Sequence, residues 1–140
     1  MQIRPRPFLN VPLLDVASID FLLICERAER TPSGPLNVFG ILDRVVVEAF
    51  PASVNLCMVA KFRGRPGEQV RLSFRLELPN GKRTDGAPDE AIRIGSNGTF
   101  IFVGPFASEW PSAGVYTMTL MSEGRTVASA TVVGVELLGT

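Results

Sequence analysis

Three carboxylates lie close together in one short stretch of the sequence and are the first candidates for chemistry. Asp85, Asp89 and Glu90 fall within "TDGAPDEA". Oxygen ligands from one loop can hold a calcium ion, and a pair of carboxylates can act as general acid and base. The spacing does not match an EF-hand loop, however, and Arg83 and Arg93 flank the cluster. A solvated loop is the plainer interpretation, and the sequence leaves both open.

The sequence contains no histidine. This removes Ser-His-Asp and Cys-His triads, imidazole general bases and most mixed-ligand zinc sites. The two cysteines are too few for an all-cysteine zinc site. The glycines sit singly in turns and do not form a phosphate-binding loop. We therefore expect a protein that is not an enzyme and that uses no metal and no cofactor.

Cys57 is the remaining candidate for reactivity. Strand periodicity predicts it on the polar face of its strand, together with Lys61. A partly exposed thiol near a lysine would have a lowered pKa and would be reactive. The alternative is a small side chain that only fills space.

Charge and hydrophobicity limit the class of partner. The 140 residues carry 14 basic and 14 acidic side chains, and 46% of the residues are hydrophobic. This length fits one domain with its own core. Because the basic residues are interspersed with acidic ones, we expect no nucleic-acid binding. No run of about 18 apolar residues is present, so we expect no membrane span.

The N-terminal segment "MQIRPRPFLNVPLLDVASIDFLLIC" resembles a signal peptide only superficially, since Asp15 and Asp20 interrupt its apolar part. Two cysteines fit a compartment where thiols stay reduced. We expect a cytoplasmic location. We also expect residues 1–18 to form an N-terminal arm, with a short helix near Val11 to Ile19, and residues 19–140 to form one domain.

Most of the chain alternates between apolar and polar residues with the period of a strand. One predicted strand directs Val54, Leu56, Met58, Ala60 and Phe62 inward, and the next directs Val70, Leu72, Phe74, Leu76 and Leu78 inward. The turn signal "GRPG" between them predicts a hairpin. "IDFLLIC" and "NVFGIL" predict a second hairpin, and a change of parity near Val132 to Gly134 predicts a bulge. About seven to nine short strands predict an all-β, immunoglobulin-like antiparallel sandwich.

Tyr116 lies in "PSAGVYTMTL", which is typical of the start of the sixth strand of an immunoglobulin-like domain. There a tyrosine hydroxyl bonds back to the chain and forms a structural corner. Met118 occupies the position of the antibody cysteine, so the inter-sheet disulfide is absent.

Asp43 and Arg44 interrupt the apolar run "NVFGILDRVVVEAFP". In one flat strand they would point to opposite faces, and one charge would enter the core unpaired at a cost of several kcal/mol. A bulge or corner near Gly40 to Arg44, where the strand leaves one sheet for the other, avoids this cost. The same two residues are candidate contacts for a partner.

Three segments, "LLICERAERTPSGPLNVFGILDRV", "FPASVNLCMVAKFRG" and "GVYTMTLMSEGRTVASATVVGV", resemble a small bacterial family of uncharacterised immunoglobulin-like sandwiches, a domain of unknown function. The resemblance covers the chain from about Asp20. Its most specific part runs from Gly40 to Arg44, followed by Phe50 and Pro51. It implies the fold and a bacterial, cytoplasmic setting, and no activity.

Two functions from different classes remain. The first is a non-catalytic binding or assembly module that uses a sheet face or an edge strand, with a protein partner or a second copy of itself. Its support is that "FLLIC", "TFIFV" and "RVVV" are apolar on both faces. Central strands covered by loops and by the N-terminal arm would explain the same pattern. The second is a small-ligand binder or hydrolase that uses the carboxylates of the loop from Asp85 to Glu90.

Overall fold

The structure, a computed structural model, describes residues 17–85 and 90–137, apart from the side chains of Asp85 and Glu90. These residues form ten strands in two sheets and no helix, which confirms the predicted immunoglobulin-like sandwich. The strands are β1 (Ser18–Arg30), β2 (Leu36–Ile41), β3 (Arg44–Val47), β4 (Ala52–Arg63), β5 (Gln69–Glu77), β6 (Arg83–Asp85), β7 (Glu90–Arg93), β8 (Thr99–Trp110), β9 (Gly114–Ser122) and β10 (Arg125–Glu136).

The two sheets differ in size. Sheet I has the order β2-β1-β4-β8, and sheet II has the order β3-β10-β9-β5, with β6 and β7 both paired to the outer edge of β5. All pairs are antiparallel except β3 with β10, which run parallel. The chain therefore changes sheets several times, as a sandwich with Greek-key connections requires.

The core lies between the sheets and follows the predicted alternation. Val54, Leu56, Met58, Ala60 and Phe62 are all buried there, as are Val70, Leu72 and Leu76 of β5. Trp110 at the end of β8 stacks on Tyr116 of β9, with ring centroids 3.8 Å apart. The period-two pattern thus predicted correctly which face of each strand is buried.

The predicted hairpin of β4 and β5 is wrong. β4 pairs with β1 and β8 in sheet I, whereas β5 pairs with β9 in sheet II. The connection between them crosses from one sheet to the other. Its amides at Gly64 and Gly67 donate to carbonyls of Gly98 and Ile94 instead of closing a two-strand ladder. Alternation shows which face a strand buries, but it does not say which strand lies beside it.

The hairpin of β1 and β2 is confirmed, and it has a second role. β1 pairs with β4 only as far as Cys25, which lies opposite Cys57, and its remaining residues pair only with β2. This end of the hairpin lies over the outer face of sheet I. The contacts include the apolar side chains of Ala28, Leu36 and Val38, which pack against Cys25, Cys57 and Val59, and a hydrogen bond from Nη2 of Arg30 to the carbonyl oxygen of Ile101 in β8.

Two smaller predictions change. No register shift occurs at Val132 to Gly134; the irregularity lies near Val127, where Leu120 pairs with Ala128 and Met121 with Thr126. The apolar Val133 simply points outward and is 40% exposed. The predicted short helix lies largely outside the described residues, and from Ser18 onward the chain is a strand. Ala17, just before β1, is already buried against the core.

Candidate functional site: an exposed valine face beside the Asp43–Arg44 corner

Asp43 and Arg44 lie where the chain passes from one sheet to the other. β2 ends at Ile41 in sheet I, and β3 begins at Arg44 in sheet II. Gly40 has φ +67, in the left-handed region that glycine adopts without strain, next to this change of direction. Both charged side chains are exposed, so neither enters the core. The predicted corner is therefore confirmed.

The corner docks β3 onto β10. The amide of Val133 donates to the carbonyl oxygen of Asp43 at 3.0 Å, and the amide of Leu137 donates to that of Val47 at 2.7 Å. This parallel pairing places Arg44 opposite Val133. Because residues paired across a ladder share a face, the two side chains lie on the same side of sheet II.

Four valines come together on the outer face of sheet II, and we call Val46, Val115, Val133 and Val135 the valine face. Val115 pairs with Val133, and Val46 pairs with Val135. Val46 is 54% exposed and Val115 is 50% exposed. A single exposed apolar residue is ordinary, but apolar neighbours on three adjacent strands form a patch, and such patches are typical of interaction sites.

The corner supplies two opposite charges next to this face: Arg44 lies on it, opposite Val133, and Asp43 is exposed one residue earlier in the chain. In the part of the chain that the structure describes, neither Asp43 nor Arg44 takes part in an ion pair or side-chain hydrogen bond. Both residues are exposed.

The edge of β10 is open over its first half. β3 pairs only with Val133 to Glu136. Within residues 17–85 and 90–137, no strand pairs with the segment Arg125 to Thr131 on that side. β10 lies close to β1 of sheet I without pairing with it.

Two of the three carboxylate candidates lie on separate short strands. β6 ends at Asp85, opposite Arg75, and β7 begins at Glu90, opposite Leu72. Asp89 and the side chains of the other two lie outside the described residues. Among the residues that the structure does describe, no group of three His, Cys, Asp or Glu side chains could hold a metal ion.

Of the two interpretations of Cys57, the structure favours the side chain that fills space over the partly exposed thiol. Its side chain does point to the outer face of sheet I, but it is 4% exposed because the β1–β2 hairpin covers it. Burial raises the pKa of the Cys57 thiol and raises that of Cys25, directly opposite, to about 11. Lys61 lies near Asp20 instead, with Nζ 3.9 Å from a carboxylate oxygen. A buried, protonated thiol is a poor nucleophile.

Tyr116 is fully buried, and its hydroxyl donates to the carbonyl oxygen of Ser112 at 2.6 Å. This is the hydrogen bond back to the chain that a tyrosine corner requires. The ring stacks on Trp110. These contacts are structural and leave no face of the ring for a ligand.

The sequence indicated the valine face only indirectly. "RVVV", which contains Val46, is apolar on both faces, and the pair Val132 and Val133 breaks strict alternation and predicted a bulge. In the structure Val132 is buried and Val133 is exposed, so the pair marks one inward and one outward apolar residue. Two consecutive apolar residues in an alternating strand fit either a bulge or a pair with one buried and one exposed side chain.

Comparison with known proteins identifies a family and a fold. The model of a family described as "Family of unknown function (DUF6941)" matches residues 20–133. No curated protein matches the chain. No helix in the described part of the chain is long and apolar enough to cross a membrane.

Among solved structures, an alkylpurine DNA glycosylase, AlkC, from Pseudomonas fluorescens bound to DNA containing an abasic site analog shares 10% identity at a TM-score of 0.51, covering 84% of this chain and 30% of that one. A β-glucosidase from Listeria innocua shares 7% at 0.49, covering 87% and 17%. An immunoglobulin-like protein from Pseudomonas aeruginosa shares 12% at 0.41, covering 85% and 96%. The chain thus spans under a third of the first two proteins. At such identities the likeness to AlkC concerns the fold alone.

Proposed function

We propose a function from surface chemistry, because this chain belongs to DUF6941, a family of unknown function: it is a non-catalytic assembly module that binds a second copy of itself through the valine face. The observation that carries the proposal is the set of exposed valines in register on β3, β10 and β9. Covering them removes apolar surface from water, which favours association by about 25 cal/mol per Å².

The two charges at the corner favour a second copy over an unrelated partner. Asp43 and Arg44 are adjacent, exposed and opposite in sign. In a two-fold symmetric pair, the same patch meets itself, so each Asp43 can face Arg44 of the other copy. Exposed ion pairs add at most about 1 kcal/mol, so their main effect is to fix orientation.

The expected association is weak. Standard interfaces bury about 800 Å² on each partner, and four valines with two charges make a smaller patch. We expect dissociation constants in the micromolar range or weaker. The proposal has no catalytic step, no nucleic acid and no membrane, and it places the module in the cytoplasm, where thiols stay reduced.

Static light scattering over protein concentrations from about 10 μM to 1 mM, which spans the expected affinity, tests the proposal. The native chain should approach the mass of a dimer. Val133→Lys should shift the midpoint at least tenfold, because it removes one buried valine, worth about 1.5–3 kcal/mol, and places two ammonium groups face to face.

Ser129→Lys is the matched control. Ser129 lies on the same strand and the same face as Val133, about 13 Å away by strand geometry, and it is exposed. It should leave the midpoint unchanged. A native chain that stays monomeric over the whole range, or two variants with equal effects, would contradict the proposal.

A further inference from the structure

A cavity between the sheets lies far from the valine face, next to β8 at the edge of sheet I. Its volume is about 320 Å³, and its main walls are Met58, Leu72, Phe74, Phe102, Phe106 and Leu120. Three of these, Met58, Leu72 and Leu120, are at most 2% exposed and form the inner end. The cavity thus reaches from the surface into the core.

Aromatic rings shape the mouth. Phe74 of β5 and Phe106 of β8 contact each other across the two sheets, with ring centroids 5.2 Å apart and planes tilted by 44°. The ring of Phe102 lies along its own strand, over Gly104. A Cβ atom at Gly104 would come 2.7 Å from Cε2 of Phe102, so glycine is what lets the ring take this position.

The lining specifies the chemistry of a ligand. Among the residues that the structure describes, no charged residue lines the cavity. A charged ligand would lose its hydration without compensation. Apolar cavities of about half this volume stay dry and bind benzene, and about 300 Å³ is the lower limit of ordinary ligand sites. Three phenylalanines at the walls favour a ring that they can meet edge to face or offset.

We propose that this cavity is a binding site for a small neutral aromatic molecule of one ring with short apolar substituents. The site is separate from the valine face, so the result of a binding test at the cavity does not bear on the proposed dimer. Filling it restores van der Waals contacts that the lining side chains otherwise lack.

Two buried methionines make the test specific. Met58 lines the cavity, whereas Met118 is fully buried in the same core and does not line it. In protein labelled with ¹³C at the methionine methyl groups, toluene should shift the Met58 resonance in a saturable manner and leave that of Met118 in place. Met58→Leu assigns the signal. Benzoate, which has the same ring and a charge, should move neither.

A cavity variant and a stability measurement extend the test. Leu72→Phe reduces the volume and should weaken toluene binding at least tenfold, with folding checked by the unchanged Met118 resonance. In the native protein, toluene at a hundred times its Kd should raise the Tm by about 10 °C. An unmoved Met58 resonance up to the solubility limit of toluene would overturn the proposal, as would equal shifts of both methionines or equal binding of benzoate.

Discussion

The outer faces of the two sheets carry the same kind of residue and differ in what covers them. On sheet I, Cys57 and Val59 point away from the core and are 4% and 0% exposed. On sheet II, Val115 and Val133 also point away from the core and are 50% and 40% exposed. The β1–β2 hairpin covers the first pair and not the second. Apolar residues on an outer face therefore indicate an interface only where the chain itself does not cover them.

The comparison also separates the two explanations that the sequence left open for its apolar excess. Cys25, the last residue of "FLLIC", is fully buried. This supports the interpretation of covered central strands, with the far end of the β1–β2 hairpin as the cover. In "RVVV", Val46 remains exposed. One pattern thus has two physical outcomes in the same molecule.

The largest expected effect comes from placing the same charge on each face. Val59→Asp should cost more than about 4 kcal/mol of unfolding free energy, or prevent folding, because the carboxylate is buried without a partner. Val133→Asp should change that free energy by about 0.5 kcal/mol or less, because its side chain is in water. Urea unfolding of both variants at low concentration measures the difference. Equal losses would show that the two faces do not differ in cover.

Alkaline pH should lower the unfolding free energy through a thiol on the covered face of sheet I. The pKa of Cys25 is raised from 9.0 to about 11 by burial, so the folded chain holds this proton when the unfolded chain has lost it. Stability from this group is complete below pH 9 and is lost as the pH rises toward 11. We expect a loss of about 2 kcal/mol between pH 8 and pH 10.5.

The control for this pH effect moves the thiol to the open face. In Cys25→Ala, the pH-dependent stability that comes from this thiol should disappear. Adding Val133→Cys should not restore it, since an exposed thiol titrates alike in the folded and unfolded chain. Unfolding by urea at the two pH values gives each difference. A Cys25→Ala variant that keeps the full pH dependence would contradict the assignment.

A smaller effect should follow from loosening the cover. Arg30 joins the hairpin to β8 through its hydrogen bond to the carbonyl of Ile101. Arg30→Ala should cost about 1 kcal/mol or less and raise the labelling rate of Cys57 by a maleimide up to about fivefold.

Arg27→Ala is the matched control for that experiment. Arg27 stacks over Phe39 at 4.2 Å and pairs with Glu29, so its contacts lie within the hairpin itself. Its removal should leave the labelling rate of Cys57 nearly unchanged. Equal acceleration by both variants would indicate general loosening of the hairpin instead of loss of one contact to β8.

The sequence predicted the buried faces of the strands well, because side-chain alternation is local. It also predicted the corner at Asp43 and Arg44, because a charge in an apolar strand has a large local cost. The β4–β5 hairpin failed for the opposite reason. Whether two consecutive strands pair or cross between sheets depends on the packing of distant segments such as β8 and β9.

The candidate site was less predictable than the fold. Cys57 and Val133 both occupy outward positions in their strands, and the sequence offers no local signal that one is covered. The cover comes from residues such as Val38, which lie almost 20 positions before Cys57. Accessibility is a property of tertiary structure, so it could be read only from the assembled sandwich.

The most direct test compares thiols on the two faces of one protein. Val133→Cys in the otherwise native chain adds an exposed thiol on sheet II, while Cys25 and Cys57 remain as the covered thiols of sheet I. Ser129→Cys adds an exposed thiol on sheet II outside the valine face. Peptide mass spectrometry after a maleimide pulse reports each site separately. At low concentration both added thiols should react at least about a hundredfold faster than the native ones, which have few accessible thiolates.

Raising the protein concentration through the range of association should then protect the thiol of Val133→Cys about tenfold and leave that of Ser129→Cys unprotected, because only the valine face becomes covered. Labelling rates at both added sites that stay equal at every concentration would contradict the account.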